Sequence, residues 1–348
     1  MIANLAVLMV VAKYPATYGH NTVINNLCLG LKKLGVRSAI GAFSFTRDPP
    51  QGIEKIVLDK GKLIRHGVDY LDFDVIHSHQ PRVNYYLLFR KPTKPVIFHY
   101  HGPSSIVHKI NFKLSMRLFG KRISKIIAVS QTALRQMNGL VGDFPSKVVY
   151  NGVDTELFTP NLTTPYKKGT PQLLFVSALR PYKNVDVLIR AMPLLLKKYP
   201  AAHLQIVGAG QSFDKLKEFI HVNNLHDNVD LAGEIRNPSE LALRYASCDL
   251  YVSASSREAC PVPPFEAMSC GKPLVLSNID AHNEIISLSK SGVGFNSNDP
   301  TLLCEKIIET YQQKDILSKN ALAFAKEHDW SSTCKQLVTI YQDSLVQK

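Results

Sequence analysis

Apolar stretches of strand length alternate with longer amphipathic stretches along the whole chain. In the first half the predicted strands are Leu5–Val11, Ser38–Phe43, Val75–His79, Val96–Tyr100, Lys125–Val129 and Lys147–Tyr150. In the second half they are Gln172–Val176, His203–Val207, Val229–Leu231, Leu250–Ser253, Pro273–Leu276 and Gly292–Phe295. Helical periodicity fills the intervals, as over Thr22–Leu34, Val185–Tyr199 and Phe213–Asn223. Near-continuous apolar strands separated by helices predict parallel sheets covered on both faces.

The number of strands predicts two domains. Twelve strands are too many for one sheet of usual size, and 348 residues are too many for one ordinary core. We therefore expect an α/β protein with two doubly wound, Rossmann-like domains that face each other and bind ligands at the carboxyl ends of their strands. The first domain covers residues 1–158, a polar linker covers 159–170 and the second domain covers 171–328. An apolar face predicts a helix over 329–348.

The composition is that of a globular protein in a reducing compartment, with 45% hydrophobic and 20% charged residues. The stretch Leu5–Ala12 is much shorter than the roughly 20 residues of a membrane-spanning helix and lacks the flanks of a signal peptide. Six cysteines without a CxxC pair argue against a disulfide framework or a zinc module and favour the cytoplasm. Cys260 is expected to be a small buried side chain rather than a reactive thiol.

The net charge of +13 is concentrated in the first half. Residues 1–160 carry 21 Lys/Arg and 9 Asp/Glu, whereas residues 161–348 carry 20 and 19. A basic field of this kind attracts nucleic acid, anionic lipid or a phosphorylated acceptor. The two halves are therefore expected to have different partners. Nucleic acid is not expected, because no aromatic stacking platform or known binding motif accompanies the charge.

Two groups of charged residues follow predicted strands of the second half. Arg180 and Lys183 come after the strand Gln172–Val176, where an arginine fork and a lysine point charge suit a diphosphate. Glu258 and Glu266 bracket a Pro-rich loop after another strand. Glu266 is expected to begin a short helix and to accept hydrogen bonds from paired hydroxyls, and Glu258 to accept from a sugar hydroxyl. The alternative is that these residues bind no ligand. Arg180, Lys183 and Glu258 would then be solvent-exposed, and Glu266 would cap the N-terminus of its helix.

These motifs together resemble family 4 of the retaining glycosyltransferases, which have the GT-B fold. The leading ones are Glu258-x7-Glu266, Arg180-x-x-Lys183 after a strand, and Asn151-Gly-Val-Asp154 before the linker. Further matching segments are Asp74-Val-Ile-His-Ser-His79, His99-Tyr-His-Gly102, Ile127-Ala-Val-Ser130, His203–Gly210, Val229–Ile235 and His328-Asp-Trp330. The resemblance covers nearly the whole chain. It implies that the C-terminal helix returns to pack on the N-terminal domain.

The resemblance also implies roles for single residues. Arg180 and Lys183 would bind the diphosphate of a nucleotide-sugar donor, Glu266 its ribose and Glu258 a hydroxyl of the transferred sugar. The backbone of Ala259, Cys260, Pro261 and Val262 would face that sugar. Gly19 would lie near the phosphates, and His101 would approach the sugar and stabilise developing charge. Catalytic roles thus fall to His101, Arg180, Lys183 and Glu258. The leaving phosphate would help to deprotonate the acceptor, so no flanking carboxylate pair is needed.

Two loops depart from the family pattern. The first loop often has Gly-Gly, whereas Tyr18-Gly19-His20 supplies one glycine. The loop after Glu258 often reads Gly-Phe-Gly-Leu, but here it is Ala259-Cys-Pro-Val262. Because Pro261 has no N–H, one backbone donor is absent, which puts the choice of sugar in doubt.

Histidines raise the question of a metal. His77 and His79, like His99 and His101, would lie on one face of a strand. No carboxylate or cysteine completes a ligand set with these histidines. Asp72-Phe-Asp74 resembles a metal-binding Asp-x-Asp signature, but it precedes a strand and so lies at the wrong end of the sheet. Because GT-B transferases generally need no metal, neither a metal nor another cofactor is expected. Gly208-Ala-Gly210 lacks the third glycine of a dinucleotide motif and predicts a tight strand-to-helix turn.

One basic segment in the first half favours a membrane partner. No acidic residue occurs from Ser104 to Gly142, and basic residues recur at Lys109, Lys113, Arg117, Lys121 and Lys125. Apolar residues follow the same period at Ile106, Ile110, Leu114 and Leu118. If residues 105–125 are helical, they form a basic amphipathic surface for an anionic membrane. The alternative is a helix packed on its own sheet with a solvated basic edge.

The sequence therefore predicts a sugar transferase that acts on a lipid or lipid-linked glycan acceptor, in the cytoplasm at the inner face of a membrane. Two alternatives stay open. A nucleotide-sugar epimerase of the same fold is disfavoured because the Glu-x7-Glu pattern belongs to the transferases. A non-catalytic subunit that binds the nucleotide sugar is suggested by the altered loop at Pro261.

Overall fold

Two all-parallel sheets organise the chain. The computed structural model describes residues 5–16, 19–102, 105–296 and 298–346. Contacts divide the chain into unit 1, Met1–Asn151 with Trp330–Lys348, and unit 2, Gly152–Asp329. Each unit has its own parallel sheet, and helices connect most successive strands. This confirms the predicted α/β fold class of two doubly wound, Rossmann-like domains.

The sheet of unit 1 has the strand order β3-β2-β1-β4-β5-β6-β7. The strands are β1 (Ala6–Tyr14), β2 (Arg37–Phe45), β3 (Glu54–Val57), β4 (Val75–Ser78), β5 (Val96–Tyr100), β6 (Lys125–Ala128) and β7 (Ser146–Val148). The helices are α1 (His20–Lys33), α2 (Lys60–His66), α3 (Pro81–Leu87), α4 (Ile106–Phe119) and α5 (Gln131–Val141). The order reverses between β1 and β4, which makes their carboxyl ends the topological switch point of this sheet.

The sheet of unit 2 has the strand order β10-β9-β8-β11-β12-β13. The strands are β8 (Gln172–Val176), β9 (His203–Val207), β10 (Val229–Gly233), β11 (Leu250–Ser253), β12 (Leu274–Ser277) and β13 (Gly292–Phe295). The helices are α6 (Val185–Lys198), α7 (Phe213–Val222), α8 (Pro238–Ser247), α9 (Val262–Ser269), α10 (Asp280–Ser289), α11 (Pro300–Gln312) and α12 (Lys314–Glu327). Its switch point lies between β8 and β11, which pair through Leu173 and Leu250.

The last helix, α13 (Trp330–Val346), belongs to unit 1. Its buried residues include Leu337, Ile340 and Tyr341, which form the apolar face of the helix predicted for this segment. Cys334 of this helix lies against Gly30 of α1, where a Cβ atom would come within 2.5 Å of the sulfur. Glycine is therefore needed at this close helix–helix contact.

The structure corrects three expectations about the elements. The first sheet has seven strands rather than six. The added strand β3 was not predicted because its side chains are mostly exposed and form no apolar run. The first boundary lies at Asn151 rather than 158, since Phe158 packs on Tyr245 of unit 2 with ring centroids 5.5 Å apart. The basic segment is α-helical only to Phe119, so Lys121 lies in the 3₁₀ turn Gly120–Arg122 that follows α4, and Lys125 begins β6.

None of the helices among the described residues combines the length and the hydropathy that crossing a bilayer requires. All six cysteines are buried, Cys260 included, and none of them forms a disulfide in the described part of the chain. The predicted absence of a disulfide framework therefore agrees with their placement.

Candidate functional site

The switch point of unit 2 brings the two predicted charged motifs together. Arg180 precedes the 3₁₀ turn Pro181–Lys183 after β8, and Glu258 lies on the loop after β11. Because β8 and β11 are adjacent parallel strands, their carboxyl ends meet at the same edge of the sheet. Arg180 is half-buried there, while Lys183 is buried.

Lys183 and Glu258 form a buried ion pair. The Lys183 Nζ atom lies 2.6 Å from Glu258 Oε1, and the two side chains are only 10% and 13% exposed. Removing one partner of a buried ion pair is costly, because the charge of the other partner then stays buried without compensation. The pair therefore joins the loop after β8 to the loop after β11.

Backbone and ring contacts fasten the same two loops. Asn184 adopts a left-handed conformation with φ 48° and donates to the Ala254 carbonyl at 3.1 Å. The backbone N–H of Ser256 donates to the Tyr182 carbonyl at 2.8 Å, and the Arg257 guanidinium lies 4.4 Å from the centroid of the Tyr182 ring. These contacts pack the loop that carries Lys183 against the loop that carries Glu258.

Glu266 is a buried carboxyl group inside α9. It is the fifth residue of that helix rather than the first, because α9 begins at Val262, so the expected helix N-terminal position of Glu266 is wrong. The Tyr245 hydroxyl donates to Glu266 Oε2 at 2.7 Å. Burial raises the pKa of Glu266 to about 7, and the hydrogen bond from Tyr245 opposes that rise. Further donors from a ligand's hydroxyls would favour the ionised carboxylate.

The start of α9 has few backbone donors. Pro261 is the cap residue, and Pro263 and Pro264 stand in the first turn. Since proline has no N–H, Val262 carries the one backbone N–H of residues 261–264. A ligand at this helix start meets fewer hydrogen-bond donors than a proline-free turn would offer. Within the first turn, Pro263 and Pro264 thus add to the loss of the backbone N–H at Pro261.

The Gly208-Ala-Gly210 segment is a tight strand-to-helix turn, as predicted. A Cβ atom on Gly208 would lie 1.9 Å from the Ser177 carbonyl oxygen, and one on Gly210 would lie 2.5 Å from that of Leu179. The Leu179 N–H also donates to the Ala209 carbonyl at 2.9 Å. The glycines allow this turn to support the backbone that leads to Arg180.

His282 is a further residue of the site that the sequence analysis did not select. It lies buried on α10, and its Nδ1 atom is 2.9 Å from Ser277 Oγ. Burial lowers the pKa of His282 to about 4, while nearby Glu258 opposes the shift. A histidine in the first turn of the helix that follows β12 was the available signal.

Unit 1 contains a stack of histidine rings. The rings of His77 and His99, on adjacent strands, are parallel within 9° with centroids 5.1 Å apart. His99 stacks on His101 at 4.4 Å, and His101 lies 4.5 Å from His20 of α1. At the opposite end the Tyr341 hydroxyl lies 2.6 Å from His77 Nδ1. Burial lowers the pKa of each of these rings, so they are neutral at neutral pH.

Hydrogen bonding in this stack sets the tautomer of His101. His79 Nε2 lies 3.2 Å from the Met9 sulfur, and His79 Nδ1 lies 3.0 Å from His101 Nε2. A thioether only accepts, so neutral His79 carries its proton on Nε2. Its Nδ1 then accepts from His101 Nε2–H, which leaves His101 Nδ1 as the unprotonated nitrogen.

The same stack is not preformed for a metal ion. Nitrogen atoms of His77, His79 and His99 lie within 4.8 Å of one another. Zinc at its usual Zn–N distance would need them about 3.3 Å apart, with each lone pair in its ring plane aimed at one point. Two rings that are parallel within 9° do not share such a point, and both nitrogens of His79 have partners. Metal independence stays a prediction.

The remaining predicted positions have simpler surroundings. Gly19 caps α1 with φ 81°, a conformation suited to glycine, and space is open around it. Asp74 Oδ2 accepts from the Ala6 N–H at 2.8 Å, and Asp72 pairs with Arg37. The two aspartates of Asp72-Phe-Asp74 therefore bind groups at the amino-terminal edge of the sheet, at the start of β1 and of β2.

Two doubly wound parallel sheets, with charged residues at the switch point of the second, are the architecture of GT-B glycosyltransferases. Residues 18–157 match the model of Glycosyltransferase Family 4, and residues 163–328 match that of the Glycosyl transferases group 1. The chain belongs to the family 4 glycosyltransferases.

Individual relatives agree with this family. An uncharacterized glycosyltransferase of Methanocaldococcus jannaschii is 28% identical over 81% of this chain and 79% of its own length. A phosphatidyl-myo-inositol mannosyltransferase of Mycobacterium leprae is 26% identical over 78% of this chain and 74% of its own. Anabaena HepE, solved in complex with UDP, has a TM-score of 0.82 at 20% identity over 97% of this chain and 100% of its own, which shows a shared fold.

Proposed function

We propose that this glycosyltransferase moves a sugar, with retention, from a nucleotide-diphosphate sugar to the hydroxyl of a lipid or lipid-linked acceptor at the cytoplasmic face of a membrane. The buried Lys183–Glu258 pair at the switch point of unit 2 carries the proposal for the donor. Two relatives support the proposal. The phosphatidyl-myo-inositol mannosyltransferase supports the lipid acceptor by its name, and HepE, solved in complex with UDP, supports the nucleotide donor.

Donor binding is proposed to proceed by an exchange of partners. Without a donor, Lys183 pairs with Glu258. When a donor binds, its diphosphate would contact Lys183 and Arg180 and replace Glu258 as the negative partner of Lys183. Glu258 is then free to accept a hydrogen bond from the sugar. As the nucleotide leaves, its growing charge meets the same two cations, which would stabilise the transition state without a metal ion.

The remaining donor contacts follow from burial and backbone chemistry. Glu266 would bind the ribose as an ionised carboxylate, with Tyr245 already donating to one of its oxygens. The loop residues Ala259, Cys260 and Pro261 and the first turn of α9, which begins at Val262, would face the sugar, and Val262 carries the one backbone N–H of residues 261–264. We assign the choice of sugar to this turn.

We assign Gly19 and His101 of unit 1 to the same reaction. Open space around Gly19 suits the close approach of a phosphate. His101 is held in one tautomer by His79, so it would stabilise developing positive charge through the unprotonated Nδ1 rather than as a cation. In this scheme the leaving phosphate assists deprotonation of the acceptor hydroxyl.

Helix α4 supports the proposed membrane attachment. Its buried side carries Phe112, Ser115 and Met116. Its apolar residues Ile106, Val107, Ile110, Leu114 and Leu118 are instead 46% to 76% exposed. Three exposed cations, Lys109, Lys113 and Arg117, flank this apolar row. An exposed apolar row beside a basic row favours an interfacial helix over one whose apolar side packs on its own sheet.

Charge reversal on α4 is expected to abolish binding to anionic vesicles. Each cation near an anionic leaflet contributes about 1 kcal/mol, so replacing Lys109, Lys113 and Arg117 with glutamate should weaken binding by roughly 100-fold or more. Sedimentation with vesicles that contain phosphatidylglycerol measures the effect. Glutamine at Ile106 and Ile110 should weaken binding without changing the charge, because it removes exposed apolar area.

The matched control reverses three exposed cations elsewhere in unit 1. The variant Lys62→Glu, Arg65→Glu, Lys91→Glu has the same net charge as the α4 variant. It should keep most of the vesicle affinity. Equal loss in the two charge variants would show that only net charge matters, and absence of binding by the native protein would refute the attachment.

Turnover separates the transferase from a non-catalytic binding subunit. The proline-rich first turn of α9 is the observation that favours such a subunit, since it removes donors from the sugar site. A panel of nucleotide sugars, assayed for transfer to lipid acceptors and for hydrolysis, tests the two. Transfer from one donor supports the enzyme, and saturable donor binding without any turnover supports the subunit.

A further inference from the structure

A surface cavity of unit 2 lies between helix α7 and strand β10. It has a volume of about 440 Å³. Strand β10 is an edge strand of the sheet, and α7 connects β9 to it. Because a helix that connects two parallel strands runs back along the sheet, the end of α7 lies at the amino-terminal edge. The Lys183–Glu258 pair lies at the carboxyl ends of β8 and β11, so the end of α7 is a separate place on the unit.

Two histidines that line this cavity are close enough to bind one metal ion. His221 is in the last turn of α7, and His226 is on the segment that leads to β10. His221 Nδ1 lies 3.2 Å from His226 Nε2. Two nitrogen ligands of a tetrahedral zinc ion, each at the usual Zn–N distance, lie about 3.3 Å apart. The two nitrogens therefore already have the spacing of two ligands of one ion.

This pair differs from the histidine stack of unit 1 in the freedom of its rings. The ring planes are tilted by 55°, and both side chains are exposed, so each ring can turn a lone pair towards a common point. Between neutral imidazoles the contact is a hydrogen bond, in which one of the two inner nitrogens carries a proton. A metal ion can replace that proton once it moves to the outer nitrogen of the same ring. Coordination thus needs a change of tautomer and ring rotation, without rearrangement of the backbone.

Helix α7 places two carboxylates on the same face as His221. Glu218 is three residues before His221 and Asp214 is seven before it, and both line the cavity. Residues three or four apart are neighbours on a helix surface, and a Glu-x-x-His pair supplies ligands in helical metal sites. Glu218 is exposed, so its side chain can rotate towards the two imidazoles. Lys217 also lines the cavity, but it is exposed and can turn its ammonium group into solvent.

We propose that His221, His226 and Glu218 bind one divalent transition-metal ion, with zinc as the expected ion. Imidazole and carboxylate ligands suit zinc, and a water molecule would complete a four-coordinate shell. The bound ion would join the end of α7 to the segment before β10 and so stabilise unit 2. It would take no part in sugar transfer, because the site and Lys183 lie at opposite edges of the sheet.

Zinc binding to the untagged chain, measured by calorimetry, tests the site. The native chain should bind one ion, and His226→Gln should raise the Kd by roughly 100-fold or more, since loss of a residue that only supports a ligand already costs about 10- to 100-fold. Glu218→Gln keeps the shape of the side chain and should raise the Kd by roughly tenfold. The matched control is His66→Gln, which removes an exposed histidine of unit 1 and should leave the Kd unchanged. Circular dichroism checks that each variant folds.

Thermal unfolding gives an independent readout. Saturating zinc should raise the Tm of the native chain and of His66→Gln, because the ion binds the folded state, but not that of His226→Gln. Equal Kd values for His226→Gln and His66→Gln would place the ion elsewhere and overturn the site, as would the absence of zinc binding by the native chain. An unchanged Kd in Glu218→Gln would overturn the assignment of the third ligand.

Discussion

Replacing Lys183 with methionine is expected to reduce sugar transfer by roughly 10²-fold or more, the scale seen when one group that stabilises transition-state charge is removed. The cation is lost from the proposed diphosphate site, so donor binding should weaken as well. A transfer assay with the active donor, together with donor titration, measures both effects. Unchanged turnover would exclude Lys183 from the phosphate site.

Lys183→Met alone also leaves Glu258 buried without its partner, which costs about 3–5 kcal/mol in comparable pairs. The control is therefore Lys183→Met with Glu258→Gln, in which both members are neutral. The double variant should regain most of the lost unfolding free energy, because neutral replacement of a buried pair is often tolerated. Its transfer activity should stay low. Recovery of activity together with stability would mean that the pair is structural only.

Unfolding free energy is expected to fall steeply as the pH is lowered from 6.5 towards 4. Burial lowers the pKa of His77 to about 3 and that of His20 to about 4, and it depresses the pKa of His79 and His99 strongly. Below pH 6.5 the unfolded chain binds protons that the folded chain excludes, so stability is lost with acid. Four such rings contribute up to about 5 kcal/mol per pH unit, against a usual total of about 5–15 kcal/mol.

Glu266 opposes this trend but does not cancel it. Its pKa is raised to about 7, so the folded chain keeps that proton better than the unfolded chain, and acid stabilises the fold by up to about 1.4 kcal/mol per pH unit. Urea unfolding between pH 7 and pH 4.5 measures the balance. His99→Leu should make the pH dependence shallower, whereas His66→Leu, at an exposed position, should not. A stability independent of pH would refute neutral burial of the stack.

Strong periodicity made most of the fold predictable. Buried parallel strands such as Val96–Tyr100 and Gln172–Val176 have continuous apolar runs, and their predicted bounds match the structure. Strand β3 was missed because its pairing with β2 needs no buried side chain. The start of α9 was misplaced because Pro263 and Pro264 resemble a loop, although proline is well suited to the first turn of a helix.

The candidate site was less predictable because it depends on strand order. Arg180, Lys183 and Glu258 were selected one by one, but their proximity follows from β8 lying next to β11, which periodicity does not reveal. The resemblance supplied residue types rather than distances, so neither the Lys183–Glu258 pair nor the Tyr245–Glu266 hydrogen bond could be anticipated. His20 was noted only as a departure from Gly-Gly, and its place beside the ring of His101 required the fold.

The position of α13 has a consequence for how the chain folds as it is made. Unit 2 is one continuous segment, and all of its residues are synthesised before α13, which belongs to unit 1. Domains generally fold as units during synthesis, and unit 1 is not complete as a unit until α13 has been added. Until then, unit 1 lacks the helix that packs on Gly30 and that places the Tyr341 hydroxyl 2.6 Å from His77 Nδ1.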